Sequence, residues 1–159
     1  MKPSELFVDE DSLLVDVSGD VTLLALEREL SRAGYTLSLE TPPPDETVAS
    51  WLASGARGAR SPWNDPADHL ISGFSARNVA TGEALEVRSA PRKSVGPDLL
   101  ALVVGMRERF FTVSRATLRI FRRDARLVHV PFVEPSCPEV TEEERTLLDR
   151  LQTELGRAG

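Results

Sequence analysis

Gly105-Met106-Arg107-Glu108-Arg109-Phe110-Phe111-Thr112-Val113-Ser114-Arg115-Ala116-Thr117-Leu118-Arg119-Ile120 is the stretch on which the reading of the fold turns. Its second half alternates. Ala116, Leu118 and Ile120 fall on one side of an extended chain and Arg115, Thr117 and Arg119 on the other, as a strand with one face in a core requires. The spacing predicts a long strand from Arg109 to Phe121. Just upstream, Pro97 suits the first position of a helix, with Leu99, Leu100, Leu102 and Val103 packing inward and Gly105 at its end.

Toward the N-terminus, Leu6–Asp9 and Leu13–Val17 read as two short strands followed by a turn at Ser18-Gly19-Asp20. Thr22 is a candidate cap for a helix whose Leu23, Leu26, Leu30 and Ala33 share one face, and Gly34 supplies its stop. A strand from Tyr35 to Leu39 then meets Pro42-Pro43-Pro44, a stiff connector. Asp45 is placed to cap a second helix carrying Val48, Trp51 and Leu52, broken by Gly55 and Gly58. His69–Val79 and Ala84–Val87 form a hairpin around the Thr81-Gly82 turn.

Downstream, Leu127–Phe132 reads as another strand, and Pro131, Pro135 and Pro138 stiffen a linker. Thr141 and Glu144 have the spacing of a capping box, opening a helix with a stripe of Leu147, Leu148, Leu151 and Leu155. That stripe fits either its own domain or another chain. The expectation is an α+β fold, mainly antiparallel sheet with helices packed on one face. It divides into a domain over 1–133 and a proline linker with an amphipathic helix over 134–159.

With 159 residues and 41% hydrophobic content the chain has material for one core. A formal charge of -6 argues against a nucleic-acid or anionic-membrane binder. A single cysteine, Cys137, and the absence of a long apolar run lead to the expectation of a cytoplasmic protein with no membrane segment. His69 and His129 are too isolated to suggest a metal site, and Cys137 has no histidine partner to activate it. Arginines 107, 109, 115, 119, 122, 123 and 126 read as a solvated strand face or as a basic strip for an acidic partner.

The segment Thr47-Val48-Ala49-Ser50-Trp51-Leu52-Ala53-Ser54-Gly55-Ala56-Arg57-Gly58, the hairpin entry Trp63, Asn64, Asp68, Leu70 and Ile71, and the run Lys93-Ser94-Val95-Gly96-Pro97-Asp98-Leu99 through Gly105 to Leu118 stand in a telling order. Together they resemble the second half of the FAD-binding domain of the FAD-linked oxidases of vanillyl-alcohol-oxidase or PCMH type. The closest look is to the FAD-binding subunit of glycolate oxidase and to D-lactate dehydrogenases. The resemblance implies that any bound FAD would lie against Thr47, Val48, Ala49, Ser50, Gly55, Gly58 and Val113.

Several departures from the family pattern carry chemical weight. Ala49 and Ser50 replace a glycine pair, Trp51 takes a small-residue position, and Glu108 and Phe111 fall where the family keeps glycines beside the cofactor. The phenyl ring would fill cofactor volume at a cost of roughly 1–3 kcal/mol. An inward-pointing Glu108 would add like-charge repulsion against a pyrophosphate. The resemblance also leads to the expectation that the glycine-rich subdomain and the substrate-shaping cap domain of the family are missing.

The leading expectation is therefore a non-catalytic, degenerate half-domain with no catalytic residues and no metal. It holds no cofactor on its own, and its partner is a complete FAD-linked oxidase subunit or a second copy of itself. An alternative is the FAD-binding part of a multi-subunit oxidoreductase acting on a 2-hydroxy acid, where FAD performs the hydride chemistry. A small α+β binding domain unrelated to oxidases stays open as well.

Overall fold

The computed structural model describes residues 6–39, 45–56, 70–89, 99–124 and 141–157. Strands β1 (Leu6–Asp9), β2 (Leu14–Ser18), β4 (Ile71–Asn78), β5 (Ala84–Val87) and β6 (Phe111–Arg119) form a sheet in the order β1-β2-β6-β4-β5. All its pairings are antiparallel. A two-residue pair, β3 (Tyr35–Thr36) with β7 (Phe121–Arg122), stands beside it. Helices α1 (Leu23–Arg32) and α2 (Val48–Ala53) cover one face, and α3 (Glu142–Arg157) lies at the end of the chain. The expected α+β class, mainly antiparallel, is what the chain adopts.

The core forms where period-two and period-3.6 patterns face each other. Val15 and Val17 of β2, Ala116 and Leu118 of β6, and Ile71, Phe74 and Ala76 of β4 pack with Leu23, Leu26 and Leu30 of α1 and with Val48, Trp51 and Leu52 of α2. Ala33, expected on the buried face of α1, is exposed, because the helix has already ended at Arg32. Gly34 follows with φ +86°, the left-handed stop foreseen for it.

Strand β6 is shorter than the predicted Arg109–Phe121 and contains an extra residue. Ser75 pairs with Arg115, and its neighbour Ala76 pairs with Val113, so Ser114 is bulged out. The bulge resets the pleat: Phe111 and Val113 point into the core before it, Ala116 and Leu118 after it. Strand β3 likewise stops at Thr36 rather than Leu39. The Glu27 carboxylate accepts the Leu37 N–H at 3.0 Å and the Thr36 hydroxyl at 2.5 Å, and Ser38 turns left-handed at φ +60°.

Leu99–Leu102 is a 3-10 turn rather than the start of an α-helix. A wholly apolar run buries Leu100, Val103 and Val104 in one tight turn and leaves no polar face for a longer helix. The predicted strand over 127–132, the proline linker, Pro97, Trp63, Asn64, Asp68, His69, His129, Cys137 and Arg126 lie outside the described residues.

Candidate functional site

The residues singled out around α2 do come together, at one end of the core face. Thr47, not Asp45, caps α2: its hydroxyl accepts the Ser50 N–H at 3.2 Å, while the Ser50 hydroxyl accepts the Thr47 N–H at 3.0 Å. The helix starts there because the chain before it is held extended. Thr22 and Thr47 form an antiparallel bridge, and the Leu23 N–H donates to the Glu46 carbonyl at 2.9 Å. The caps of α1 and α2 are thus tied side by side.

The donors at the start of α2 are spent inside the protein. The Val48 N–H donates to the Val21 carbonyl and the Ala49 N–H to the Gly19 carbonyl, both at 2.9 Å, and the Trp51 N–H donates to the Thr47 carbonyl at 2.8 Å. With Thr47 and Ser50 serving each other, every backbone N–H from Thr47 to Trp51 has an internal acceptor. A helix start attracts a phosphate through N–H groups left over by the helix, and here none of those five is left over. As it stands, this segment does not fit the role of a pyrophosphate cradle.

The far end of α2 docks on the turn before β6. Gly105 donates its N–H to Leu52 at 3.0 Å, and Arg107 donates its N–H to Ala53 at 2.8 Å. Five neighbouring residues are left-handed: Gly55 at φ +103°, Ala56 at +52°, Gly105 at +78°, Arg107 at +48° and Glu108 at +57°. A Cβ built on Gly55 would come within 3.9 Å of the Gly105 Cα. Glu108 therefore keeps a glycine-like backbone at a position where the resemblance expects glycine, at a conformational cost for a residue with a side chain.

The side chains at the departing positions go different ways. Glu108 is exposed, so the inward charge that would repel a pyrophosphate does not arise; its left-handed backbone directs it to solvent. Phe111 is buried as part of the core. Trp51 is wholly buried beneath α2, its bulk absorbed by the core. Among the remaining named residues Val48 and Val113 are buried, Thr47, Ala49 and Gly55 half-buried, and Ser50 exposed; Gly58 lies outside the described residues.

Gly19 and Gly105 are the members of this cluster that the sequence did not mark as site residues. A glycine placed directly after an alternating strand was the available signal for Gly19. Its N–H donates to the Ser114 carbonyl at 2.8 Å, so it locks the β2–α1 loop onto the bulge of β6.

The arginines do not make a continuous basic strip. Arg115 pairs with Asp16 at 2.5 Å, and Arg109 pairs with Asp149 of α3, while Arg107, Arg122 and Arg123 are exposed. The Asp16–Arg115 pair sits in a cavity of about 340 Å³ whose wall includes Phe7 and Glu86. Its charged lining is mixed, with Asp9, Asp16 and Glu86 beside Arg88 and Arg115. Among the described residues no group of three or more His, Cys, Asp or Glu is placed to hold a metal ion, and no helix is long and apolar enough to cross a membrane.

No protein-family model matches the chain. Two solved structures of alkyldihydroxyacetonephosphate synthase, in different crystal forms, are similar to it. One has a TM-score of 0.55 at 18% identity, covering 73% of this chain and 20% of that one. The other has a TM-score of 0.55 at 17% identity, covering 73% and 21%. The chain spans about a fifth of the length of these neighbours. At that identity the likeness is one of fold alone: an α+β, mainly antiparallel architecture shared with about a fifth of the synthase chain.

Proposed function

We propose that this chain is a non-catalytic, degenerate FAD-linked-oxidase-like half-domain that acts as an accessory or interaction subunit and does not hold FAD by itself. The observation that carries the reading is the closed account of backbone donors from Thr47 to Trp51, each already bonded within the protein. Phe111 and Trp51, at positions where the resemblance expects small residues, are built into the core. A partner in the form of a complete FAD-linked oxidase subunit, or a second copy, follows from a retained fold without its own cofactor cradle.

The test is a visible absorbance spectrum of the purified protein together with an FAD titration followed by flavin fluorescence. The expected result is a colourless, folded protein with no saturable quenching. Stoichiometric FAD in the purified protein would overturn the reading.

A second reading has one observation in its favour. The left-handed backbone at Gly55, Gly105 and Glu108 is still in place, which suits a chain supplying one half of a flavin site completed by another polypeptide. In that case saturable flavin binding should appear when the second polypeptide is added to this chain, and a mixture that binds no more flavin than the second polypeptide alone would count against it.

A further inference from the structure

We propose that helix α3 is a releasable strap, which leaves and re-docks on the sheet while the rest of the domain stays folded. This rests on the contacts of α3 alone and is independent of any flavin. None of its described side chains is buried, and only Leu148, Gln152, Leu155 and Gly156 are half-buried. Leu147 and Leu151 remain 57% and 41% exposed. The stripe read from the sequence is therefore split between one half that touches the core and one that faces solvent.

What joins α3 to the sheet is largely polar. Arg109, the residue after the left-handed turn, donates to the Gln152 side chain at 3.1 Å and pairs with Asp149. At the other end the Asn78 side-chain amide donates to the Leu155 carbonyl at 3.3 Å, satisfying one of the acceptors a helix leaves open at its C-terminal end. Leu148 and Leu155 add apolar contact with the core. Half-exposed ion pairs and hydrogen bonds of this kind contribute little net stability, and a helix of this length is marginal once undocked. Release therefore means local melting of α3, which bares the Arg109 guanidinium and the Asn78 amide beside the turn that precedes β6.

Hydrogen exchange on the full chain tests this. In the wild type, α3 amides should exchange at least ~100-fold faster than those of β6, as for a unit that opens below the global unfolding energy. Arg109→Ala should speed α3 by a further ~5–10-fold and leave β6 unchanged. A locked variant exploits the close approach of α3 to the β4–β5 turn: a Cβ on Gly156 would lie 3.2 Å from that of Ala80, near disulfide range. Oxidised Ala80→Cys/Gly156→Cys in a Cys137→Ser background should slow α3 exchange by at least ~10-fold. Equal protection of α3 and β6 in the wild type, or equal acceleration of both by Arg109→Ala, would overturn the proposal.

Discussion

The α-carbon of Gly19 lies so close to the Val113 carbonyl oxygen that a methyl group on it would stand 2.6 Å from that atom, and 3.2 Å from the Ala49 side chain. The clash is with backbone on one side, so it cannot be relieved by a rotamer change. Gly19→Ala should destabilise the domain by roughly 1–3 kcal/mol. A urea midpoint lowered at unchanged slope would show it.

Glu108 tests the opposite sign. Its φ of +57° is strained for a residue with a Cβ, and its side chain is exposed. Glu108→Gly should stabilise the protein by about 0.5–1 kcal/mol, the relief of strain exceeding the added freedom of the unfolded chain. Phe111→Ala should cost about 3–5 kcal/mol because its ring is core. Denaturation curves of the two variants establish the signs.

Trp51 is completely shielded from water. Trp51→Ala should cost about 3–5 kcal/mol and, on the proposed function, create no flavin binding. Denaturation and flavin titration on one sample separate the two effects.

The Asp16–Arg115 pair is about one-third exposed on both sides. Asp16→Asn should cost no more than ~1 kcal/mol, and the loss should shrink as salt is added. Denaturation at two ionic strengths checks it.

Acid should loosen α3 before the sheet. The Thr141 N–H and then its hydroxyl hold the Glu144 carboxylate below its usual range, with bonds of 2.8 and 3.0 Å. A depressed folded-state pKa means the contribution is complete above the unfolded value and disappears as the pH falls through the folded one. Protection factors of the α3 amides, which allow for the intrinsic slowing of exchange in acid, should fall across that window while those of β6 hold, and Thr141→Ala should weaken this pH dependence. Asp9 follows the same sign, since the Ser12 and Asp11 N–H groups hold its carboxyl low.

Much of this architecture was legible because it is local. The Thr22 cap with Leu23, Leu26 and Leu30, the Thr141–Glu144 box, the Ala84–Val87 strand and the Gly82 turn each depend on residues a few positions apart. What escaped depends on distant partners. Asp45 looks like a cap, yet the bridge between Thr22 and Thr47 decides where α2 begins. The alternation of Arg115–Ile120 is plain, but the change of parity before it comes from pairing with Ser75 and Ala76. In the site, the departures at Ala49, Ser50, Trp51, Glu108 and Phe111 were visible in sequence. Their side-chain directions were not, because φ at Glu108 and the room beneath α2 are tertiary properties.

Without Ser114, the order Phe111, Thr112, Val113, Arg115, Ala116 would be an unbroken in-and-out rhythm, and the hydrophobic layer would close as before. The strand therefore carries one residue more than its interior needs. That surplus residue offers the carbonyl that holds Gly19, and its hydroxyl donates to the Ser75 carbonyl at 3.1 Å. A one-residue deletion there would spare the oil of the protein and cut its mooring, leaving a folded sheet from which the neighbouring loop has come adrift.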